Sequence, residues 1–285
     1  MNEHTTRVSD DGTLILTFPN VKAGFEQWFL LSSDRHWDSP DSDRAMQKRH
    51  LEQAVERNAM VFDFGDLIDG MGGRNDRRMT KSGIRAEFNV DGYFTELINQ
   101  AVDWFKPYAK QFKLIATGNH ESAVLKHNEV DLTRQIVRLL NAEANANIVP
   151  GKYAGWIRLQ FQRSNNASAG RHLIRYTHGS GGSSPVTRGV IQTNRRAVWL
   201  PDADTIISGH VHQNWLVTIP RERITERGRV YFDEQNHLQL PSYKRASLHE
   251  GFAAERGFAP TPIGAWWLRF WFENEQMKHE FTRAQ

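Results

Sequence analysis

Five short apolar runs of this 285-residue sequence are each followed at once by carboxylate, amide or imidazole side chains. These polar endings are Asp34-Arg35-His36, Gly65-Asp66-Leu67-Ile68-Asp69, Gly118-Asn119-His120-Glu121, His178-Gly179 and Gly209-His210-Val211-His212. The chain has no cysteine, which excludes disulfides, thiolate ligands and a cysteine nucleophile. Oxygen and nitrogen donors of these types suit hard or borderline divalent cations. If the five endings meet in space, they form a metal site, and their donors are too many for one tetrahedral ion.

The apolar runs that precede these endings are typical of buried strands. They are Gln27–Ser33, Ala59–Phe64, Lys113–Thr117, Leu173–Thr177 and Thr205–Ser208. Helical periodicity lies between or after them, over Arg44–Arg57, Gly92–Phe105 and Asp131–Leu140. Alternating strands and helices predict an α/β fold with a parallel core. Because sites in such sheets form outside the carboxyl ends of the strands, we expect the five endings to share one crevice.

The second half of the chain is richer in strand candidates, with room for a helix between Thr187 and Leu200. The further predicted strands are Gly155–Gln162, Trp215–Ile219, Arg229–Phe232 and the aromatic Trp266–Phe272. We interpret the aromatic run as a packed strand, with a partner interface or a base-stacking surface as the alternatives. The whole pattern predicts two sheets packed as a β-sandwich and flanked by helices. We expect one domain over residues 1–285, with a basic insertion at about 70–90 and a β-rich part from about 214.

In this order, the motifs are similar to the signature of the calcineurin-like metallophosphoesterases. The similarity extends from Asp34 to His212 and includes every element of that pattern. It implies a four-layer α/β/β/α architecture and hydrolysis of phosphoester bonds at a centre of two divalent ions. Two such ions polarise a phosphoryl group and lower the pKa of a bound water, which supplies a hydroxide nucleophile near neutral pH.

The resemblance also implies a role for each polar residue. Asp34, His36 and His212 hold the first ion, Asp66 bridges to the second, and Asn119, His178 and His210 complete the second. This donor set favours Mn²⁺ in our interpretation and also admits Fe, Zn²⁺, Ni²⁺ or Co²⁺. Of the remaining histidines only His172 shares a strand face with His178, but it starts the strand that His178 ends.

Three neighbouring residues have roles beyond the metal ligands in this interpretation. The resemblance places His120 at the substrate, where an imidazole stabilises charge or protonates the leaving oxygen. Asp69 is similar to the residue that orients that histidine, and its alternative role is capping the turn that follows. Glu121 is interpreted as a first-turn acid of the next helix.

Basic residues follow two of the site motifs. They are Arg74, Arg77, Arg78 and Lys81 after Asp69, and Arg188, Arg195 and Arg196 after His178. A solvated surface is one interpretation, and contact with a phosphate backbone is the other. We favour a phosphodiester substrate such as DNA, RNA or a nucleotide, and hence a nuclease or phosphodiesterase. The alternatives are a protein or small-molecule phosphatase and a metal-binding scaffold without catalysis.

The amino-terminal residues carry no signal-peptide pattern, and no apolar run approaches the roughly 20 residues that span a bilayer. We therefore expect a cytoplasmic protein that does not insert into membranes. The formal net charge of +3 is too small to indicate a polyanionic partner by itself.

Overall fold

Strands outnumber helices in the part of the chain that the structure describes. The computed structural model describes residues 2–72, 84–182, 184, 186–245 and 260–285. The α-helices are α1 (Arg44–Glu56), α2 (Tyr93–Phe105), α3 (Asn119–Asn128), α4 (Leu132–Ala144) and α5 (Gln192–Trp199). The strands are β1 (Thr5–Val8), β2 (Leu14–Phe18), β3 (Glu26–Ser32), β4 (Met60–Asp63), β5 (Phe112–Ala116), β6 (Val149–Gly151), β7 (Ala154–Gln162), β8 (Ser168–Thr177), β9 (Thr205–Ser208), β10 (Trp215–Ile224), β11 (Val230–Gln239), β12 (Trp266–Glu273) and β13 (Gln276–Arg283).

The strands form two mixed sheets. The six-stranded sheet has the order β13-β12-β3-β4-β5-β6, and its strands β3 to β6 run parallel. The seven-stranded sheet has the order β1-β2-β7-β8-β9-β11-β10, in which β8, β9 and β11 run parallel. Each parallel group therefore directs several carboxyl ends toward one edge of its sheet.

The main core lies between the two sheets. Phe18 and Phe161 of the seven-stranded sheet and Phe29, Phe62 and Phe270 of the six-stranded sheet are almost fully buried in one cluster. Burial of each such side chain contributes about 1.5–3 kcal/mol. The alternation of apolar and polar residues along β7 and β8 is what gives the seven-stranded sheet one face for this core. The two sheets are thus held face to face by aromatic packing.

A second core lies on the opposite face of the six-stranded sheet, under the helices. It includes Leu51 of α1, Leu97 of α2 and Ile136 of α4, which pack over Val61 and Ile115 of the sheet. Helices α1 and α4 begin with side-chain caps, since Asp43 and Asp131 accept hydrogen bonds from backbone N–H groups three residues on. On the outer face of the other sheet, only a small cluster of Leu200, Ala203 and Ile206 is present among the described residues. The two-sheet α/β fold is confirmed, whereas the four-layer arrangement stays a prediction.

Most predicted elements are present with small shifts of their ends. All five strands before the polar motifs and the three helices of the first half are confirmed. The aromatic run is strand β12, paired with β3 and buried at Trp267 and Phe270, so its interpretation as a packed strand is confirmed. Strands β1, β6 and β13 were not predicted, because short or polar edge strands lack a long apolar run. Strand β2 was also not predicted, although it is an apolar inner strand.

Strand β11 is longer than predicted because its second half combines burial with polarity. Gln235, His237 and Gln239 are at most 4% exposed. Gln235 Nε2 donates to the carbonyls of Leu200 and Ala203, and Gln239 Nε2 donates to the carbonyl of Gly209. The polar side chains thus hold loop carbonyls at the strand end, a role that no apolar pattern reveals. In the described part of the chain, no helix combines the length and apolar character needed to cross a bilayer.

Candidate metal centre

The five polar motifs lie at the carboxyl ends of strands from both sheets. Strands β3, β4 and β5 are parallel neighbours in one sheet, and β8 and β9 are parallel neighbours in the other. The main-chain N–H of Asp34 donates to the carbonyl of Gly65, and that of Gly209 donates to the carbonyl of His178. The motifs therefore meet at one end of the sandwich, in a crevice with three motifs on one side and two on the other.

Two groups of donor atoms in this crevice have the composition of a cation site. One consists of Asp34, His36 and His212, and the other of Asp66, His178 and His210, with each group's atoms within 4.8 Å of one another. Nε2 of His178 lies 3.1 Å from Oδ2 of Asp66 and 3.9 Å from Oδ1 of Asp34, so the two groups adjoin.

Asn119 belongs to the second group. Its Oδ1 lies 2.9 Å from Nε2 of His178 and 2.7 Å from Nδ1 of His210. All seven residues that the sequence indicated as ligands are thus brought together, although they come from five separate parts of the sequence. Their roles as ligands stay a prediction.

The donors fit a divalent cation better than they fit one another. Oδ1 of Asp34 is buried and has no hydrogen-bond partner among the described residues. It faces Nε2 of His212 at 3.2 Å, while Nε2 of His36 and His212 approach each other to 3.4 Å. Carboxylate and imidazole donors that converge in this way are stabilised when a cation lies between them. The chemistry of the donor set therefore suits metal binding.

The pKa values of groups in the crevice also indicate that positive charge is stabilised there. Burial alone would lower the pKa of His178, but the carboxylates of Asp66 and Asp34 raise it to about 10. Burial alone would raise the pKa of Asp34, but His178 and His212 lower it to about 2, and the pKa of Asp66 is likewise lowered by His120 and His178. A divalent cation would supply this positive charge in place of the protons, so metal binding is expected to release protons.

Backbone strain is concentrated at the candidate ligands. Asp34, His36, Asp66, His210 and His212 all have positive φ, between 42° and 70°. A non-glycine residue rarely adopts this left-handed region, and each such residue costs of order 1–3 kcal/mol unless its surroundings compensate. The left-handed residues bend the chain sharply just after the strand ends, which is where the candidate ligands lie.

Three glycines permit the loops to approach closely. A Cβ at Gly118 would lie 2.1 Å from Oδ1 of Asp66, and one at Gly209 would lie 2.1 Å from Oγ of Ser33 and 2.5 Å from Oδ2 of Asp34. In contrast, a Cβ at Gly182, in the glycine-rich segment after His178, would meet nothing within 4 Å. The missing side chains of Gly118 and Gly209 therefore matter for the site, as does that of Gly65, where a Cβ would lie 2.8 Å from Nδ1 of His178.

Substitution Gly118→Ala is expected to lower metal affinity by about 10–100-fold, the usual scale for disturbing the support of a ligand. The added methyl group would displace the Asp66 carboxylate, which belongs to the second donor group and lies 4.0 Å from Nε2 of His36 in the first. Calorimetric titration of metal-free protein with Mn²⁺ measures the affinity. Gly182→Ala is the matched control and should bind Mn²⁺ as the unchanged protein does; equal losses in both variants would contradict this assignment.

His120 lies beside the two donor groups and is held by main chain. Its Nδ1 lies 2.7 Å from the carbonyl oxygen of Asp69 and 3.4 Å from Oδ1 of that residue. Its Nε2 is directed to the crevice, 3.9 Å from Oδ2 of Asp66, and the side chain is 16% exposed. His120 also completes a third group of possible ligand atoms with His36 and Asp66.

The Asp69 carboxylate contacts more than His120. Its Oδ1 lies 2.8 Å from Nδ1 of His36, and both oxygens lie within 3.3 Å of Nζ of Lys244. Burial alone would raise the pKa of Asp69, but His36 and Lys244 lower it. The N–H groups of Asp69 and Gly70 donate to Asp38. The alternative role of Asp69, capping the turn that follows, stays a prediction. Asp38 was not singled out from the sequence. Its position four residues after Asp34, just beyond a site motif, was the one signal that it lies near the centre.

Glu121 does more than cap the first turn of α3. Its Oε2 accepts from the N–H groups of Gly118 and Asp66, and its Oε1 accepts from that of Ile68. Burial, followed by the charge of Asp66, raises its pKa to about 8. Glu121 therefore ties the loop that carries Asp66 to the start of α3, which carries Asn119. The interpretation as a first-turn acid is confirmed but incomplete.

A segment far from the motifs forms one wall of the crevice. The C-terminal strap (Ser242–Arg245) follows β11, and its Ser242 Oγ and Tyr243 N–H both donate to the carbonyl of Asp34. The carbonyl of Tyr243 accepts from the N–H of Asp43, and Lys244 reaches Asp69. No local sequence signal marked this strap, because its contacts are with residues about 200 positions away.

The predicted basic contacts have different outcomes. Arg74, Arg77, Arg78 and Lys81 lie outside the described residues. Arg188 and Arg195 are exposed, and the carbonyl of Arg188 accepts from Nε1 of Trp215, just after the His212 loop. Arg196 instead donates to Oγ of Ser208, which ties it to the end of β9. Their contact with substrate stays a prediction.

His172 lies away from the crevice, as expected. It is 5% exposed, and its Nε2 lies 2.8 Å from Oγ1 of Thr205 at the start of β9. Its ring makes edge-to-face contacts with Phe270 and His279 in the core between the sheets. Of His172 and His178, only His178, at the other end of β8, contributes to the candidate metal centre.

No protein-family model matches this sequence, and no curated protein sequence matches it. Several solved structures are similar at low identity. Vacuolar protein sorting 29 from Cryptosporidium parvum is 14% identical, over 91% of this chain and 98% of that chain, with a TM-score of 0.39. A predicted phosphoesterase from Streptococcus pneumoniae TIGR4 is 12% identical, over 91% and 100%, with a TM-score of 0.33. Vps29 complexed with Zn²⁺ from Entamoeba histolytica is 10% identical, over 90% and 99%, with a TM-score of 0.35. Likenesses at this level carry no argument about function.

Proposed function

We propose that this protein is a metal-dependent phosphoesterase that hydrolyses phosphoester bonds at a dinuclear centre. The observation that carries the proposal is the adjacency of two donor groups, one around Asp34 and one around Asp66, at the carboxyl ends of five strands. Two neighbouring cations suit phosphoryl transfer, because together they stabilise both the attacking and the leaving oxygen.

Seven side chains would hold the ions. The first ion would take Asp34, His36 and His212, the second Asn119, His178 and His210, and Asp66 would serve both. Bound ions of this kind polarise phosphoryl oxygens and lower the pKa of water. A carboxylate suits the shared position because it offers two oxygens, whereas an amide or imidazole offers one donor. Mn²⁺ is our favoured ion, and Fe, Zn²⁺, Ni²⁺ and Co²⁺ fit the same donors.

The protein itself supplies a proton-transfer group. Because a carbonyl oxygen only accepts hydrogen bonds, the contact of His120 with the Asp69 carbonyl places a proton on Nδ1. Nε2 is then the nitrogen that gives or takes a proton at the crevice. We propose that His120 stabilises charge on the phosphoryl group or protonates the leaving oxygen, with the main chain of Asp69 fixing its ring.

A phosphodiester, such as DNA, RNA or a nucleotide, is the substrate class that we propose. Support comes from the position of the exposed Arg188, whose main chain is bonded to Trp215 beside the His212 loop, and from the exposed Arg195 on α5. Neither arginine takes part in an ion pair among the described residues, so both are available to phosphates. In this proposal the protein is a nuclease or phosphodiesterase.

The test is a screen of metal-free protein reconstituted with Mn²⁺. We expect hydrolysis of bis(p-nitrophenyl) phosphate and of single- or double-stranded nucleic acid, loss of both activities with a chelator, and a steep fall of nucleic-acid cleavage with salt. Salt-insensitive preference for p-nitrophenyl phosphate would instead identify a phosphomonoesterase. Hydrolysis of neither ester by protein that holds its metal would identify a scaffold without catalysis and would refute the proposal.

A further inference from the structure

Lys244 is a basic residue at the candidate centre, and the main chain around it is held by hydrogen bonds. The C-terminal strap that carries it is fixed on both sides, because Ser242 and Tyr243 bind the carbonyl of Asp34 and the N–H of Arg245 donates to the carbonyl of Asp41. The N–H of Lys244 also donates to Oγ of Ser242. The lysine therefore extends from a rigid wall of the crevice.

The ammonium group of Lys244 lies at the rim of the crevice. Nζ lies 3.1 Å and 3.3 Å from the two oxygens of Asp69, whose side chain is 2% exposed, whereas the lysine side chain is 29% exposed. An ammonium group has three N–H donors, and Asp69 is its one hydrogen-bonded partner among the described residues. At least one donor is therefore directed to solvent at the mouth of the site.

The charges around the crevice give this ammonium group a particular place. Five buried carboxylates lie at the site, those of Asp34, Asp38, Asp66, Asp69 and Glu121. In the described ranges, Lys244 is the one lysine or arginine that forms an ion pair with any of them. It is thus a positive charge that the protein itself places at the candidate centre, in addition to the charge that metal ions would bring.

Lys244 is also separated from the donor atoms that would hold the ions. The Asp69 carboxylate lies against Nδ1 of His36, whereas Nε2 of that ring faces His212 and the candidate metal position. A carboxylate and an imidazole ring thus stand between the ammonium group and the place of the reacting phosphoryl group. The ammonium group is positioned for an anionic group beside the reacting one.

We propose that Lys244 is a substrate-binding residue that receives a second anionic group, adjacent to the phosphoryl group that reacts. This inference rests on the proposed function and narrows it. The substrate class becomes a phosphoester with a neighbouring phosphate, as in a nucleic-acid strand, rather than an isolated ester. Lys244 would contribute affinity and selectivity, and the neighbouring phosphate is the group that it recognises.

Equilibrium binding tests the inference without turnover. The ligands are the thymidine dinucleotide TpT, with one phosphodiester, and pTpTp, which adds a phosphate at each end. Calorimetry on full-length, Mn²⁺-loaded protein in a His120→Ala background gives the ratio of the two dissociation constants. We expect Lys244→Met to reduce the preference for pTpTp by about 10–100-fold, the scale of one charge-assisted hydrogen bond, and Lys244→Arg to retain it within about 3-fold.

The matched control is Lys48→Met. Lys48 is an exposed lysine of α1 that also pairs with a carboxylate, that of Glu52. Its substitution should leave the preference for pTpTp over TpT unchanged. Equal weakening of TpT and pTpTp by Lys244→Met would show that the lysine acts only through Asp69, and unchanged affinity for both ligands would show a simple ion pair. Either result, or the absence of binding to both dinucleotides, overturns the inference. Failure of the proposed function is distinct, because it appears as absent hydrolysis by the metal-loaded protein.

Discussion

Substitution Asp66→Ala is expected to abolish metal binding and, with it, phosphoesterase activity. Oδ2 of Asp66 lies 3.1 Å from Nε2 of His178 and 4.0 Å from Nε2 of His36, so this carboxylate adjoins both donor groups. Its removal leaves the second group without a carboxylate and takes away a donor that adjoins the first group. We expect turnover to fall by at least about 10³-fold, since loss of one electrostatic group alone costs about 10²–10³. Metal analysis of the purified variant after Mn²⁺ loading, beside the turnover rate, measures both effects.

Asp66→Asn is the companion variant that separates charge from structure. The amide oxygen still accepts the hydrogen bond that Oδ1 takes from the N–H of His120, so the loop should keep its conformation. We expect circular dichroism like that of the unchanged protein, together with metal content near zero. Full metal content in either variant would mean that Asp66 is not shared between two ions and that the dinuclear assignment is wrong.

Substitution His120→Ala is expected to keep the metal and lower turnover by roughly 10²–10⁴, the usual contribution of a positioned general acid. The physical reason is that Nδ1 is occupied by the carbonyl of Asp69, which leaves Nε2 to act at the substrate. Metal content and kcat, measured on the same preparation, check the two parts of the expectation. If the variant loses metal, then the third donor group, of His36, Asp66 and His120, is the true ligand set.

His127→Ala is the control for that experiment. His127 lies on the same helix, α3, but is exposed in its last turn and away from the crevice. Its removal should change neither metal content nor kcat. A comparable fall in kcat would indicate that the His120 effect arises from the helix rather than from the imidazole.

Much of the candidate site could be predicted from local sequence, because each motif follows directly from the strand that positions it. A short apolar run followed by Gly-Asp or Gly-Asn-His predicts both the strand and the polar residue at its end. The same holds for α1 and α4, whose amino-terminal caps are visible as Asp43 and Asp131. These features depend on residues within about four positions of one another, so a linear pattern contains them.

Other features were hidden because residues far apart in the sequence create them. Lys244 contacts Asp69 across 175 positions, and Ser242 contacts Asp34 across 208. Glu121 supports Asp66 across 55 positions, and it looked from the sequence like an ordinary helix acid. Such contacts have no period and no composition signal, since they arise only when packing of the two sheets brings separate loops together.

The sequence by itself determined the donor types, their order and their place at strand ends, and it excluded thiolate chemistry through the absence of cysteine. The tertiary structure decided that the five ends come from two sheets and meet across the sandwich. It also decided that five of the candidate ligands adopt positive φ, and that a strap after β11 brings a lysine to the rim. The physical reason is that side-chain chemistry and strand propensity are local, whereas the distance between loops is set by how the sheets pack.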